Sequence, residues 1–152
     1  MADDFGLAIS GPADAAGGVV AYHECVLGYA RFERWGEIDA VCDVHPTSPM
    51  ALLLAADFAQ AAAGGMGPAG DEKLAAAAAL PLAERERGYL EALQAMARSE
   101  LGGAYELWRG VVASFPADLF AVKRGQFCCI LTGNSAGLLE IAKMARPTGR
   151  RR

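Results

Sequence analysis

Leu101 to Gly125 reads LGGAYELWRGVVASFPADLFAVKRG, and this stretch decides the fold. Leu101, Ala104, Trp108, Val111 or Val112, and Phe115 recur at steps of three and four residues, which puts them on one apolar stripe of a helix. Glu106 and Arg109 fall on the wet side of the same helix, close enough to pair. Phe115-Pro116 ends it, because a residue before proline is pushed out of the helical region. Asp118, just past the corner, offers a carboxylate to the N-terminus of a second helix. That helix becomes apolar nearly all round at FCCIL (127–131). Taken alone, the run also fits a buried strand, although no second strand candidate exists to pair with it.

Working backward, ERERGYLEALQAMARSE (84–100) carries Tyr89, Leu93 and Met96 at helical spacing. Its opening run Glu84-Arg85-Glu86-Arg87 reads as a solvated first turn. DEKLAAAAAL (71–80) is a short helix capped by Asp71 and stopped by Pro81. Thr47-Ser48-Pro49 is a start signal, with a Ser cap and a proline where its missing N–H costs nothing. MALLLAADFAQAAA (50–63) follows, interrupted by Asp57, and closes at Gly64-Gly65. GGMGPAG (64–70) is a surface turn rather than a phosphate loop, since no strand precedes it and no Gly-Lys-Ser/Thr follows. A helix from Glu33 to Val44 places Trp35, Ile38, Val41 and Cys42 on one side and stops at His45-Pro46. Asp14 opens an earlier helix whose face carries Val19, Tyr22, Val26 and Tyr29, and residues 1–12 are a flexible N-terminal arm. Forward of the opening stretch, Gly133-Asn134 closes one helix and Ser135 caps the next, SAGLLEIAKMA (135–145), which runs towards Pro147. The organisation expected is therefore an arm over 1–12, one helical domain over 13–147 and a basic tail over 148–152.

With 152 residues, 53% of them hydrophobic, the chain is long enough for one domain with a core. Its start, MADDFG, has no basic region before an apolar run, which argues against a secretory or mitochondrial address. The apolar runs fall short of the roughly 20 residues that cross a bilayer, so the reading is soluble and cytoplasmic. Residues 1–80 hold 11 acids and 3 bases; residues 81–152 hold 7 acids and 11 bases, three of them the terminal Arg150, Arg151 and Arg152. The basic excess is thus largely a solvated tail, and nothing points to nucleic acid.

No constellation for chemistry stands out. Cys25, Cys42, Cys128 and Cys129 are irregularly spaced among small apolar residues and read as reduced core cysteines. His23 and Cys25 share a helix but, two residues apart, point in opposing directions. His45 precedes a helix-ending proline, where it suits the dipole of the helix C-terminus. Asp3-Asp4 and Asp71-Glu72 occupy an arm and a helix start, not a dry pocket. No Gly-x-Ser-x-Gly, His-Glu-x-x-His or phosphate-loop motif occurs. The expectation is no catalytic residue, no cofactor and no metal, with a thiol- or metal-dependent activity at the four cysteines as the minor alternative.

The prolines that stop helices reveal a repeat. Pro12, Pro46, Pro81, Pro116 and Pro147 lie 34, 35, 35 and 31 residues apart. A helix–turn–helix unit recurring every ~34 residues is the tetratricopeptide pattern, in which one hairpin buries its apolar faces only when neighbours stack on it. The fold class expected is all-α, with antiparallel helical hairpins stacked as a tetratricopeptide-like right-handed solenoid. The best unit runs from Arg85 to Asp118, with small Ala104 at the close contact of its two helices, Trp108 one turn later and Pro116 at the end; the next continues with Gly133 at the interhelical turn.

Residues 82–147 further resemble the N-terminal region of the tetratricopeptide repeat protein 38 family. The resemblance is carried by Arg85-Glu86, Ala92-Leu93, Glu106-Leu107-Trp108, Phe115-Pro116-x-Asp118-Leu119-x-Ala121-x-Lys123, Leu131-x-Gly133 and Pro147, and more loosely by residues 20–80. Members of that family continue through further helical pairs, so the resemblance implies a truncated form or fragment. It implies a scaffold and no defined reaction. In stacked hairpins the first helix of each unit lines a concave, peptide-binding face. On that mapping Tyr89, Leu93, Lys123 and Phe127 meet an unknown protein or peptide, with Leu93 and Phe127 alternatively plain core. The Lys and Asn clamp of chaperone-binding tetratricopeptide domains is missing. A second possibility is homo-oligomerisation through the uncapped apolar helix LLEIAKM (138–144).

Overall fold

The computed structural model describes residues 7–11, 19, 20, 22, 23, 26 and 37–146. Expectations for Asp14, Cys25, Tyr29, Trp35, Pro147 and the tail over 148–152 lie outside the described residues. Seven helices are delimited among the described residues: α1 (Glu37–Val44), α2 (Pro49–Ala62), α3 (Asp71–Ala78), α4 (Glu84–Ala97), α5 (Leu101–Ser114), α6 (Leu119–Thr132) and α7 (Ser135–Met144). Residues 19, 20, 22, 23 and 26 are also helical. The described part is all-helical apart from a single bridge residue at Ala8, and FCCIL lies wholly within α6. No helix among the described residues is long and apolar enough to cross a membrane.

Every second helix from α2 onward recurs at a fixed spacing. α2, α4 and α6 each span 14 residues, and they begin 35 residues apart at Pro49, Glu84 and Leu119. All three close in the same way. Gly64, Ser99 and Gly133 take positive φ angles of 109°, 59° and 69°. Behind each, an amide reaches back five residues: Gly65 N to Gln60 O at 2.7 Å, Glu100 N to Ala95 O at 2.9 Å, and Asn134 N to Cys129 O at 2.9 Å. These bonds satisfy carbonyls that a helix end leaves open. Each of the three then turns back into its partner, α3, α5 or α7, of which α5 is equally long, and consecutive helices pack against one another.

Local signals at the other ends held in part. Asp118 caps α6 by accepting from Ala121 N at 3.0 Å. Ser48 stands in the extended conformation before Pro49, but its side chain makes no cap bond and is buried. Asp71 is not the cap of α3. That position belongs to Gly70 at φ 93°, where an added Cβ would stand 2.8 Å from Ala56 O, so α3 starts against the backbone of α2 at a distance only glycine permits. The described part of the arm also departs from expectation: Ile9 is buried, and Ser10 N donates to Glu86 Oε1 at 2.8 Å.

The buried apolar residues form one core cluster. Trp108, Tyr89 and Phe120 form its aromatic centre, all fully buried. Tyr89 and Phe120 stack with centroids 5.3 Å apart and planes 17° from parallel, and Trp108 meets Tyr89 edge-on at 5.0 Å. Ala104 is fully buried one turn before Trp108, while Pro116 marks the half-buried corner between α5 and α6. There its carbonyl accepts from Arg146 N at 2.7 Å. Gly133 supplies the left-handed turn into α7. α7 is tied back to α5 through Glu140, which accepts from Tyr105 OH at 3.0 Å and Arg109 Nη1 at 3.3 Å.

Candidate functional site

The surface expected to receive a partner is built from α4 and α6, and the structure divides its four residues. Tyr89 and Leu93 are both fully buried. Neither reaches solvent: for Tyr89 the expectation of an open groove is corrected, and for Leu93 the structure has the alternative, plain core. Lys123 is exposed. Phe127 is half-buried, seated against Gly65 of the α2–α3 loop so closely that a Cβ on that glycine would overlap the ring. The physical reason is that α2 and α6 close over α4. Gln60 on α2 donates through Nε2 to the Leu93 carbonyl at 3.1 Å, and Phe120 on α6 covers the Tyr89 ring.

Two buried arginine–aspartate–tyrosine groups fill this interior. In the first, Arg85 Nε donates to Asp118 Oδ2 at 2.7 Å. Tyr89 OH accepts from Arg85 Nη2 at 3.2 Å and lies 3.0 and 2.9 Å from the two Asp118 oxygens. Helix geometry places Arg85 one turn before Tyr89, and the cap position of α6 delivers Asp118 to both. Burial pushes the Tyr89 phenol well above its usual range, with Asp118 opposing ionisation further. The Glu84–Arg87 run is thus only half a solvated turn: Glu84 and Arg87 are exposed, whereas Arg85 is 2% and Glu86 0% exposed.

The second group joins helices further apart. Arg124 Nη2 on α6 pairs with Asp57 Oδ2 on α2, and Tyr22 OH donates to the same oxygen at 2.5 Å. The Arg124 guanidinium also lies over the Phe120 and Phe127 rings at 5.5 and 5.9 Å. Desolvation, then the Asp57 charge, raises the Tyr22 phenol above its ordinary value. His23 packs on Phe120 with centroids 5.0 Å apart, and burial followed by the Arg85 charge holds its pKa well below 6.5. These are charge pairs whose partners come from within the chain, and their worth depends on both members being present.

The thiols are placed for packing. Burial pushes Cys42 and Cys128 up to about 11 and raises Cys129, so all three are neutral thiols near pH 7. Cys25 lies outside the described residues. No group of three or more His, Cys, Asp or Glu among the described residues could hold a metal ion.

Sequence reasoning missed Arg85, Glu86, Asp57, Gln60 and Arg124 as interior polar residues, and placed Tyr22 on a helix face without its bond to Asp57. A signal existed for some of them: Asp57 is the one charge in α2, and Arg85 lies four and eight residues before Tyr89 and Leu93, on their face. No family model, no curated protein and no solved structure matches the chain.

Proposed function

We propose that the chain is a non-catalytic, tetratricopeptide-like helical-repeat scaffold that mediates protein–protein interaction. The observation that carries this reading is the recurrence of a 14-residue helix at Pro49, Glu84 and Leu119 with the same left-handed closure. Stacked hairpins that share one core are built to present a surface rather than a reacting pocket. The right-handed solenoid, kinship with the tetratricopeptide repeat protein 38 family and the unknown protein or peptide partner belong to the same proposal. With Tyr89 and Leu93 inside, the contact face on α6 centres on Lys123. Proximity crosslinking with the unmodified chain and with Lys123→Glu tests it: partners lost only in the variant support the reading, and identical partner sets remove this face.

A second reading is favoured by one feature. Ile130, Leu131, Leu138 and Leu139 are 67%, 44%, 36% and 57% exposed at the end of α6 and on α7. Apolar side chains gathered at one end of a helical stack are covered when a second copy docks there. Sedimentation equilibrium should then show a self-association that Leu139→Asp abolishes; a strictly monomeric profile at high concentration removes this reading.

A further inference from the structure

Glu86 holds a carboxylate with no solvent exposure in the first turn of α4. Its Oε2 accepts from Ala83 N at 2.8 Å, a bond made within the helix start itself. Its Oε1 accepts from Ser10 N at 2.8 Å, a donor 76 residues away. A buried carboxylate oxygen without its donor is strongly penalised, so this position calls for a main-chain N–H from a segment laid across the helix end. The residues on either side of Ser10 are read by other means. Ile9 is 5% exposed and belongs to the core cluster. Gly11 sits at φ +100°, where an added Cβ would stand 3.1 Å from Ser48 Cα and 3.2 Å from Ser48 Oγ. Both the backbone angle and the space select glycine.

Ser48 and Glu86 stand at the N-terminal ends of α2 and α4, so the short segment crosses two helix starts. Burial reads one residue, an amide bond the next and a steric limit the third. We propose that this ledge is a peptide-binding site for a short segment of the form branched apolar residue, any residue with a main-chain N–H, glycine, occupied in cis by Ile9-Ser10-Gly11 and open to the same motif in a partner protein. The inference rests on the scaffold reading, whose Lys123 face is elsewhere, and it names a partner class for that scaffold. The tethered segment competes at a high effective concentration, so a free peptide binds the unmodified chain weakly.

The test uses a fluorescein-labelled peptide of residues 6–12, Gly-Leu-Ala-Ile-Ser-Gly-Pro, and the full-length chain carrying Ile9→Asp, which displaces the cis segment. The expected result is saturable binding to the variant, at least ~10-fold tighter than to the unmodified chain. A peptide N-methylated at the serine nitrogen, which lacks the donor for Glu86, should bind ~10-fold more weakly or worse. No binding to a variant that still unfolds cooperatively, or equal binding of the methylated peptide, overturns the proposal. Hydrogen exchange on the unmodified chain covers the case in which Ile9→Asp fails to fold. There the Ser10 amide should exchange at least ~10-fold more slowly than in the free peptide, and exchange at the free-peptide rate overturns the proposal equally. Loss of peptide binding with Lys123-dependent crosslinks intact would defeat this inference alone, and the converse would defeat only the Lys123 face.

Discussion

Arg85 and Asp118 are joined by a 2.7 Å ion pair that is 2% and 0% exposed, linking the first turn of α4 to the cap of α6. Neither residue has water to turn to. Removing one partner therefore leaves the other charged, buried and uncompensated, which costs far more than an exposed pair is worth. Arg85→Met should destabilise the chain by about 3–5 kcal/mol in urea unfolding. Asp118→Asn retains a cap acceptor for Ala121 N but not the charge, and in a double-mutant cycle the two changes should be non-additive by about 1–3 kcal/mol. Additive losses would show that the pair is not coupled.

Tyr89 separates ring from hydroxyl. Tyr89→Phe keeps the stack on Phe120 and removes the bridge between Arg85 and Asp118, for an expected loss of about 1–2 kcal/mol. Trp108→Ala, which empties the aromatic centre, should cost about 3–5 kcal/mol. Equal losses would mean that the hydroxyl matters as much as the whole indole, and would overturn the aromatic centre as the larger contribution.

His23 should give stability a pH dependence. Burial and the Arg85 charge keep its folded pKa well below 6.5, whereas the unfolded residue titrates near 6.5. Above that value both states hold a neutral ring. As pH falls below it, the unfolded chain takes up a proton that the folded chain refuses, so stability declines by at most ~1.4 kcal/mol per pH unit. His23→Gln should flatten this decline between about pH 6.5 and 5, read from urea midpoints. The same slope in both chains would assign the effect elsewhere.

Alkylation tests the thiols. With Cys128 pushed up to about 11, only about one molecule in a thousand carries its thiolate at pH 8. Iodoacetamide should label Cys42, Cys128 and Cys129 slowly in the native chain and rapidly in urea. Fast native labelling of Cys128 would reopen a thiol-based activity.

What could be read from the sequence was what is local. Pro46, Pro81 and Pro116 act on the residue just before them, and Gly64 and Gly133 on a single backbone angle, so helix ends declared themselves. Asp118 was legible as a helix-start acid for the same reason. Its second duty was hidden, because Arg85 lies 33 residues away and no local rule couples them. Charge alone suggested that Arg85 and Glu86 face water. Their register with Tyr89 and Leu93 argued the opposite, and burial followed the register. The position of Ser10 depends on a donor–acceptor match 76 residues apart, which composition does not encode.

Because the Arg124–Asp57 bond joins α2 directly to α6, the chain does not come apart like beads from a string. In arrays whose units touch only their neighbours, end units fray first and melting proceeds piece by piece. Here, opening α6 deprives α2 of its cation at once. Amide protection in α2 and α6 should therefore vanish together as denaturant rises, making the two ends of the described repeat one cooperative unit.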